Sequence, residues 1–468
     1  MKQILIVGGG ITGLASAFYV QEKIKANNLP YKVKLVEAKD RLGGKMETIY
    51  REGFTIERGP DSFLSRKQPA IKLVEKLGLT DELVRNATGQ SYILIGKKLH
   101  KIPAGSFMGV PKDIQTFLLS NTLSIKGKVR AGLEYVKPKG KSPGDQSLGV
   151  FFRRRFGDEL VENVIEPLLS GIYSGDIDEM SLMATFPNFY QLEQKYGSLM
   201  KGLQQTMPKK QRQKTKKKQA GIFYAFKDGF QSLVNELEKQ LRNEDILTLG
   251  TAVDHVEKKE TGYHVLLSDG TVTKADAMIV TSPHSTLKNI FSKHEVFKLA
   301  EDIPTTSVAN VALAFDQKAI RKELDGTGFV VSRNSDFRIT ACTWTHRKWP
   351  HTTPDGKVLL RSYVGGPHDP DAVNLSDEEI VELVLNDLKK IMKVKGKPNF
   401  NVVSRFKQAM PQYAVGHLER LETLRNYASN HLPGVFLAGA SYEGVGVPDC
   451  IEQGEKSAED LFHYLDEK

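Results

Sequence analysis

The chain opens on a short apolar, β-branched run, Gln3 to Val7, of the length expected for a buried strand. A glycine cluster, Gly8 to Gly13, comes next. Leu14 to Lys25 then has helical composition and offers Leu14, Ala17, Phe18 and Ile24 to one face. Lys32 to Val36 is a second strand ending at Glu37, so the first 40 residues predict one βαβ unit. Gly43 to Phe63, rich in glycine and polar residues, predicts a structured loop. Residues 68–85 predict a helix, with Ala70, Leu73, Val74 and Leu77 at its apolar spacing. From about 107 to 205 the pattern is mostly helical, and Phe107 to Pro111 and Phe117 to Ile125 are apolar stretches assigned to amphipathic helices. Strand signals then return. Ile246 to Val256, Tyr263 to Leu267 and Thr271 to Thr273 predict a meander with a tight turn at Asp269-Gly270. Ala277 to Thr281 is another buried strand. Val308 to Phe315, Gly328 to Ser332 and Val358 to Val364 predict a second sheet. Ser376 caps an amphipathic helix to Lys390 with an acidic first turn. Val435 to Gly439 and Asp449 to Tyr464 close the chain as strand, turn and helix.

This alternation of element types makes the fold class α/β in the α+β multidomain sense, and 468 residues allow two or three domains. Hydrophobic residues at 40% and charged residues at 26% are the proportions of an ordinary enzyme and exclude wholesale disorder. No run approaches the 18 or so apolar residues of a membrane span, and the N-terminus lacks the features of a signal peptide. Two distant cysteines, Cys342 and Cys450, fit neither a disulfide framework nor a metal site, which predicts a cytoplasmic location. The histidines show no metal-ligating spacing, so no metal is expected. The net charge of +10 raises nucleic acid, anionic membrane and anionic substrate as partners. Seven basic residues with no acid stand in 209–218, however, and 10 − 7 leaves only +3 for the rest. The charge therefore describes one solvated basic loop, 206–219, and argues against nucleic acid. Arg153-Arg154-Arg155 reads as a solvated helix face or as partners for acids.

The strongest motif is Gly8-x-Gly10-x-x-Gly13, with Gly9, Ile11 and Thr12 between its glycines, lying between predicted strand and helix. It allows a sharp turn, close approach of backbone to a pyrophosphate, and close helix packing. The helix N-terminus then offers free N–H groups to phosphate. Glu37 stands where an acid binds an adenosine ribose. A second glycine pair follows in Glu37-Ala38-x-x-Arg41-x-Gly43-Gly44-Lys45, adding backbone donors and positive charge along the same pyrophosphate. A nicotinamide site has no need of that second wall, whereas an extended FAD does. Near the C-terminus a strand ends at Gly439, and Gly444-Val445-Gly446-Val447 precedes a helix whose N-terminus suits the electron-rich end of a reduced flavin. No second dinucleotide fingerprint is present, so electrons are expected to pass to oxygen or another acceptor.

The E-A-x-x-R-x-G-G run resembles the flavin amine oxidase superfamily. Gly59-Pro60-Asp61-Ser62-Phe63, Glu166 to Asp176 (EPLLSGIYSGD) and Gly439 to Ile451 (GASYEGVGVPDCI) together resemble the protoporphyrinogen oxidase family over nearly the whole chain. Asn86 to Tyr92, Thr340 to Thr345 and Met410-Pro411-Gln412-Tyr413 are most similar to its Gram-positive members, which act as coproporphyrinogen III oxidases.

The resemblance implies a Rossmann-like FAD-binding domain from 1–65, 220–285 and 405–468, a mixed-sheet substrate domain from 66–95 and 286–404, and a helical domain from 96–205. That last region is what some relatives use to sit on a membrane, so at most peripheral membrane contact is expected. Flavin contacts are implied at Gly8 to Gly13, Glu37, Ala38, Arg41, Gly44, Lys45, Gly59 to Ser62, Val253, Gly439 and Gly444 to Val447. Phe406 is implied as a further flavin contact; relatives often carry Trp there, so a contact at this position lacks the indole N–H. The implied reaction is oxidation of coproporphyrinogen III to coproporphyrin III by O2 in heme biosynthesis, six electrons giving three H2O2, with protoporphyrinogen IX as a second substrate. Hydride passes to flavin N5, and no catalytic residue of the protein is nominated. Arg66 and Lys67 are candidates for propionate capture, and Gly171, Ile172, Tyr173, Trp344 and Trp349 for lining the ring pocket. A ferrochelatase and a coproheme decarboxylase are implied as transient partners. The rival readings are a flavin amine oxidase or carotenoid desaturase on the same fold, and a basic non-enzymatic adaptor acting through the 209–218 run.

Overall fold

The computed structural model describes residues 1–467 except 104–105, 113–117, 141–143, 207–220, 243–245 and 321–324. The basic loop therefore lies, from 207 onward, outside the described residues, as does Phe117 of one predicted apolar helix. The chain folds into two compact units. The first comprises Met1–Arg85, Ile222–Pro304 and Leu418–Lys468, and the second Asn86–Gly221 and Thr305–His417.

The first unit is built on the predicted βαβ: β1 (Lys2–Val7), α1 (Ile11–Ala26) and β2 (Tyr31–Val36). β1 pairs in parallel with β2 and with the strand Ala277–Val280, which itself pairs in parallel with Val435–Leu437. Leu247–Thr248 completes the five-stranded sheet beyond β2. These strands are apolar on both faces because both faces are covered, as parallel sheets require. On one face Leu14, Ala17 and Val20 of α1 pack with Leu461 and Phe462 of the C-terminal helix Val447–Asp466. On the other the predicted meander, Val253–Lys258, Tyr263–Leu267 and Val272–Ala275, forms an antiparallel three-stranded sheet.

The loop expected over 43–63 instead contains an antiparallel hairpin, Thr48–Arg51 with Phe54–Glu57. Glu52 and Gly53 both take positive φ, 50° and 80°, the backbone of a two-residue hairpin turn, while Phe54 and Ile56 turn into the core. The helix predicted over 68–85 ends at Lys76. Gly78, at φ 70°, stops it, and Leu83–Arg85 is a strand against Phe223–Phe226.

The second unit is a seven-stranded mixed sheet in the order Phe400–Pro411, Thr305–Asp316, Lys357–Gly365, Ile339–Trp344, Gly328–Val331, Ser91–Ile95, Lys98–Lys101. The helix Asp377–Met392 packs Ile380, Val384 and Leu388 into the same core, and its N-terminus carries the full capping box between Ser376 and Glu379. The helical region expected before residue 205 belongs to this unit as well. Phe107 to Pro111 is not a helix there. Met108 and Gly109 take φ 50° and 83°, and Phe107 bridges Val110 in a tight turn.

The division differs from the three-part expectation. Residues 66–85 and 286–304 pack in the first unit, where Ala70, Leu73 and Val74 join the α1 core and Leu287 and Phe297 pack with Leu424. Residues 405–417 belong to the second, because the strand Phe400–Pro411 pairs along Thr305–Asp316.

Arg153-Arg154-Arg155 is not a solvated face. Arg155 is fully buried between Glu134 and Glu193, Arg154 pairs with Glu193 at 2.7 Å, and Arg153 holds Asp178. Glu134 also accepts from the N–H of Leu199 at 2.7 Å, so this buried ion network caps the helix Leu199–Thr206.

Candidate functional site

Gly8 ends β1 at φ +103° and donates its N–H to the Val36 carbonyl at 2.8 Å. A Cβ at Gly13 would lie 1.8 Å from the Gly8 carbonyl oxygen, so only glycine lets α1 start this close to the strand. A Cβ at Gly10 would meet nothing within 4 Å. The turn is thus closed on its protein side and open at its centre, the shape that admits a pyrophosphate to the backbone.

The second glycine turn lies directly against the first. Gly43 donates to the Gly9 carbonyl at 2.9 Å, Gly10 and Gly43 form an isolated parallel bridge, and a Cβ on Gly44 would stand 3.1 Å from the Gly10 Cα. Arg41, expected to add charge along the pyrophosphate, spends its guanidinium on the turn itself. It donates to the carbonyls of Gly44 (2.7 Å), Leu42 (3.2 Å) and Met46 (3.3 Å), and pairs with Glu47. Lys45 is exposed. Desolvation holds its pKa below the usual lysine value, with Cys450 beside it. Gly59 closes on the Lys45 carbonyl oxygen, where a Cβ would come within 2.0 Å. Beyond it Pro60, Asp61 and Ser62 are half-buried, and Ser62 donates to Asp61 at 2.8 Å.

Glu37 is half-buried and fixed by two backbone donors, Gly9 N–H at 2.6 Å and Lys39 N–H at 2.9 Å. Its carbonyl accepts from Thr251, which brings Val253, two residues on, to the same end of β2; Ala38 is exposed.

At the C-terminal turn Gly439 takes φ +122° with its Cβ position 3.6 Å from the Thr12 hydroxyl, so this turn faces the start of α1. Gly444 and Gly446 wrap the Asp449 side chain, which a Cβ on either would strike at 2.6 and 2.7 Å. Val445 is half-buried and Val447 buried at the start of the last helix. Gln453, which sequence reasoning missed, ties this turn together. It accepts from Gly439 N–H at 2.9 Å and donates to the Glu443 carbonyl. A glutamine nearly two turns into a helix, on its buried face, is the signal that would have revealed it. Cys450 is buried and its thiol pKa is pushed up to about 11 by desolvation, consistent with an inert core thiol. The glycine fingerprint, Glu37, the second glycine pair and the C-terminal turn thus converge in one unit, with open space beside Gly10, a fit for FAD.

The residues proposed for substrate separate into groups. Arg66 is exposed, and Lys67 pairs with Asp449 at 2.5 Å. In the second unit Gly171 and Ile172 are exposed, while Tyr173 is buried against Tyr413 and Phe186, ring centroids 5.5 and 6.1 Å away. Gln412 donates to the Tyr173 carbonyl at 2.9 Å, so the L-S-G-I-Y and M-P-Q-Y runs are locked to each other. Phe406 is half-buried opposite Val308 in that unit's sheet. Trp344 and Trp349 do not line a pocket. They are 1% and 2% exposed, and Trp344 packs between Tyr92 and Phe329 in the sheet's core. Their strand and turn positions face inward, which a single large aromatic in the sequence does not reveal. Glu166, six residues before Ile172, is buried and accepts from Ser170 at 3.0 Å. Burial pushes its carboxyl up to about 7, offset in part by Arg333 and reinforced by Asp176 and Asp178. Among the described residues no group of three or more His, Cys, Asp or Glu side chains is placed to hold a metal, and no helix is long and apolar enough to cross a membrane.

The profile of the family described as flavin containing amine oxidoreductase matches residues 11–462. The coproporphyrinogen III oxidase of Bacillus subtilis (strain 168) is 50% identical over 464 residues, spanning 99% of this chain and 98% of that protein. That of Staphylococcus aureus is 43% identical over 468 residues, spanning 99% of this chain and all of that protein. A candidate protoporphyrinogen oxidase from Exiguobacterium sp. 255-15, known from its crystal structure, superposes with a TM-score of 0.87 at 37% identity over 99% of both chains. By sequence, fold and the glycine-built cradle alike, this chain belongs to the flavin-containing amine oxidoreductase family, in the branch of the coproporphyrinogen III and protoporphyrinogen oxidases.

Proposed function

We propose that the protein oxidises coproporphyrinogen III to coproporphyrin III with O2 as acceptor, and protoporphyrinogen IX more slowly. The observation that carries this reading is the 50% identity, end to end, with the Bacillus coproporphyrinogen III oxidase. Bound FAD supplies the two-electron acceptance that makes stepwise oxidation of the ring possible. Each ring loses six electrons and six protons, and three O2 leave as three H2O2.

The residues of this chain bind and shape. Backbone N–H groups around Gly10 and at the start of α1 meet the pyrophosphate, Glu37 the adenosine ribose, and Val253 the adenine. Lys45 and Gly44 form the second wall, with Gly59 to Ser62 beside it. Gly439 and Gly444 to Val447 present backbone and a helix N-terminus to the isoalloxazine. Arg41, whose guanidinium donates to the Gly44 carbonyl, holds the second turn in shape. Gly171 and Ile172 retain the exposure a tetrapyrrole contact requires, and Arg66 that of a propionate partner. A cytoplasmic site of action and transient hand-over of product to a ferrochelatase fit the same reading. Turnover measured side by side on coproporphyrinogen and protoporphyrinogen tests it. A higher kcat/KM on the tetracarboxylate is expected, and equal or reversed preference contradicts it.

A further inference from the structure

Between the first glycine turn and the C-terminal turn runs a segment that no motif marks, Thr281-Ser282-Pro283-His284, leaving the strand Ala277–Val280. Its first residue governs the dinucleotide turn. Thr281 Oγ1 lies 2.9 Å from the Val7 carbonyl and 3.1 Å from the Gly8 carbonyl. A Cβ at Gly8 or Gly13 would strike the same hydroxyl at 2.9 or 2.8 Å. Its last residue governs the other turn. His284 is 4% exposed, and its Nδ1 lies 2.9 Å from Ser441 Oγ while its backbone N–H donates to the same oxygen at 3.2 Å. Nε2 lies 3.1 Å from the Ile303 carbonyl, an acceptor only, so Nε2 carries the proton and Nδ1 accepts from the Ser441 hydroxyl. The imidazole is therefore held in one tautomer by partners on two sides. Ser441 begins the Ser-Tyr-Glu-Gly run that leads into Gly444.

We propose that His284 is a positioning residue of the flavin site: with Thr281 it makes the 281–284 segment a brace that sets the C-terminal turn against the first glycine turn. The proposal rests on the placement of Gly444 to Val447 beside the flavin ring given above. Burial, with Lys45 nearby, lowers the imidazole pKa and favours the neutral form that this geometry uses.

The test uses the FAD-loaded protein and reads the visible spectrum of the bound flavin and the FAD dissociation constant, neither of which requires turnover. S441A removes the hydroxyl partner at little cost in volume, and H284F keeps a ring but no hydrogen bond. Each is expected to shift the flavin absorbance and raise the dissociation constant roughly tenfold, about the worth of one buried hydrogen bond. T281V is expected to weaken FAD binding through the opposite end of the brace. An S441A protein with wild-type spectrum and FAD affinity overturns the brace, whether or not H284F folds. G444A, which drives a Cβ into Asp449, separates the two levels of inference. If it too leaves the flavin spectrum unchanged, the placement of this turn beside the ring is what falls.

Discussion

At the scale of single residues, a methyl group at Gly10 would enter open space, whereas one at Gly13 would press on the Gly8 carbonyl at 1.8 Å. The two substitutions therefore differ in what they do to stability. G10A should fold with a thermal midpoint close to wild type and purify without yellow flavin, because its methyl occupies the place of the phosphate. G13A should lose stability as well as flavin, since helix and strand must separate. Thermal melts paired with flavin absorbance after purification check both. Trp344 belongs to a different category. W344A should cost about 3–5 kcal/mol, as large-to-small changes in a core do, with denaturant unfolding as the measurement. The glycines were legible in the sequence because their role is a backbone requirement that spacing reveals. The tryptophans were not, because an aromatic side chain serves core and pocket equally well and only burial separates the two.

At the scale of elements, the helix Glu166–Tyr173 shows how a motif can hide its chemistry. Pro167 has no N–H to donate to the preceding turn, and the chain upstream widens into a π turn over Val161–Ile165. Glu166 is buried at that junction. Its carboxyl is raised from 4.5 to about 7 by desolvation, so the folded protein holds a proton that the unfolded chain has already released. Stability contributed here is present below pH 4.5 and is lost as pH rises through about 7. E166Q cannot ionise and should flatten that decline, melting at higher temperature than wild type at pH 8 with little difference at pH 5. A parallel fall of both proteins between those pH values would contradict the assignment. The buried Arg155–Glu134–Glu193 network makes a second prediction. R155M leaves Glu134 buried without its cation, while Glu193 keeps Arg154, and should cost about 3–5 kcal/mol, read by chemical unfolding. Of the elements themselves, the parallel sheet, the meander and the Ser376 capping box were legible from period and cap residues. The 48–57 hairpin was not, although Glu52-Gly53 between alternating apolar positions carried its signal, because the glycine-rich run around it read as loop. The turn at 107–110 escaped because an apolar stretch without its positive-φ residues looks like a helix face.

At the scale of the whole molecule, most of the positive charge is local. Replacing 209–218 with an uncharged linker should leave porphyrinogen turnover intact while abolishing retention on a polyanion matrix at low salt. Loss of turnover would assign the run a part in the chemistry. The two-unit division was only partly legible, since segments 66–85, 286–304 and 405–417 are allotted by packing partners far away in the chain. The central claim is that an FAD cradle built by one unit serves a porphyrinogen oxidase. Its most direct test is an aerobic assay of the flavin-loaded protein on coproporphyrinogen III, following porphyrin fluorescence and peroxide together. Fluorescent coproporphyrin with three peroxides per ring is the expected result. A fully flavin-loaded protein that leaves coproporphyrinogen unoxidised above the blank rate in air would contradict it.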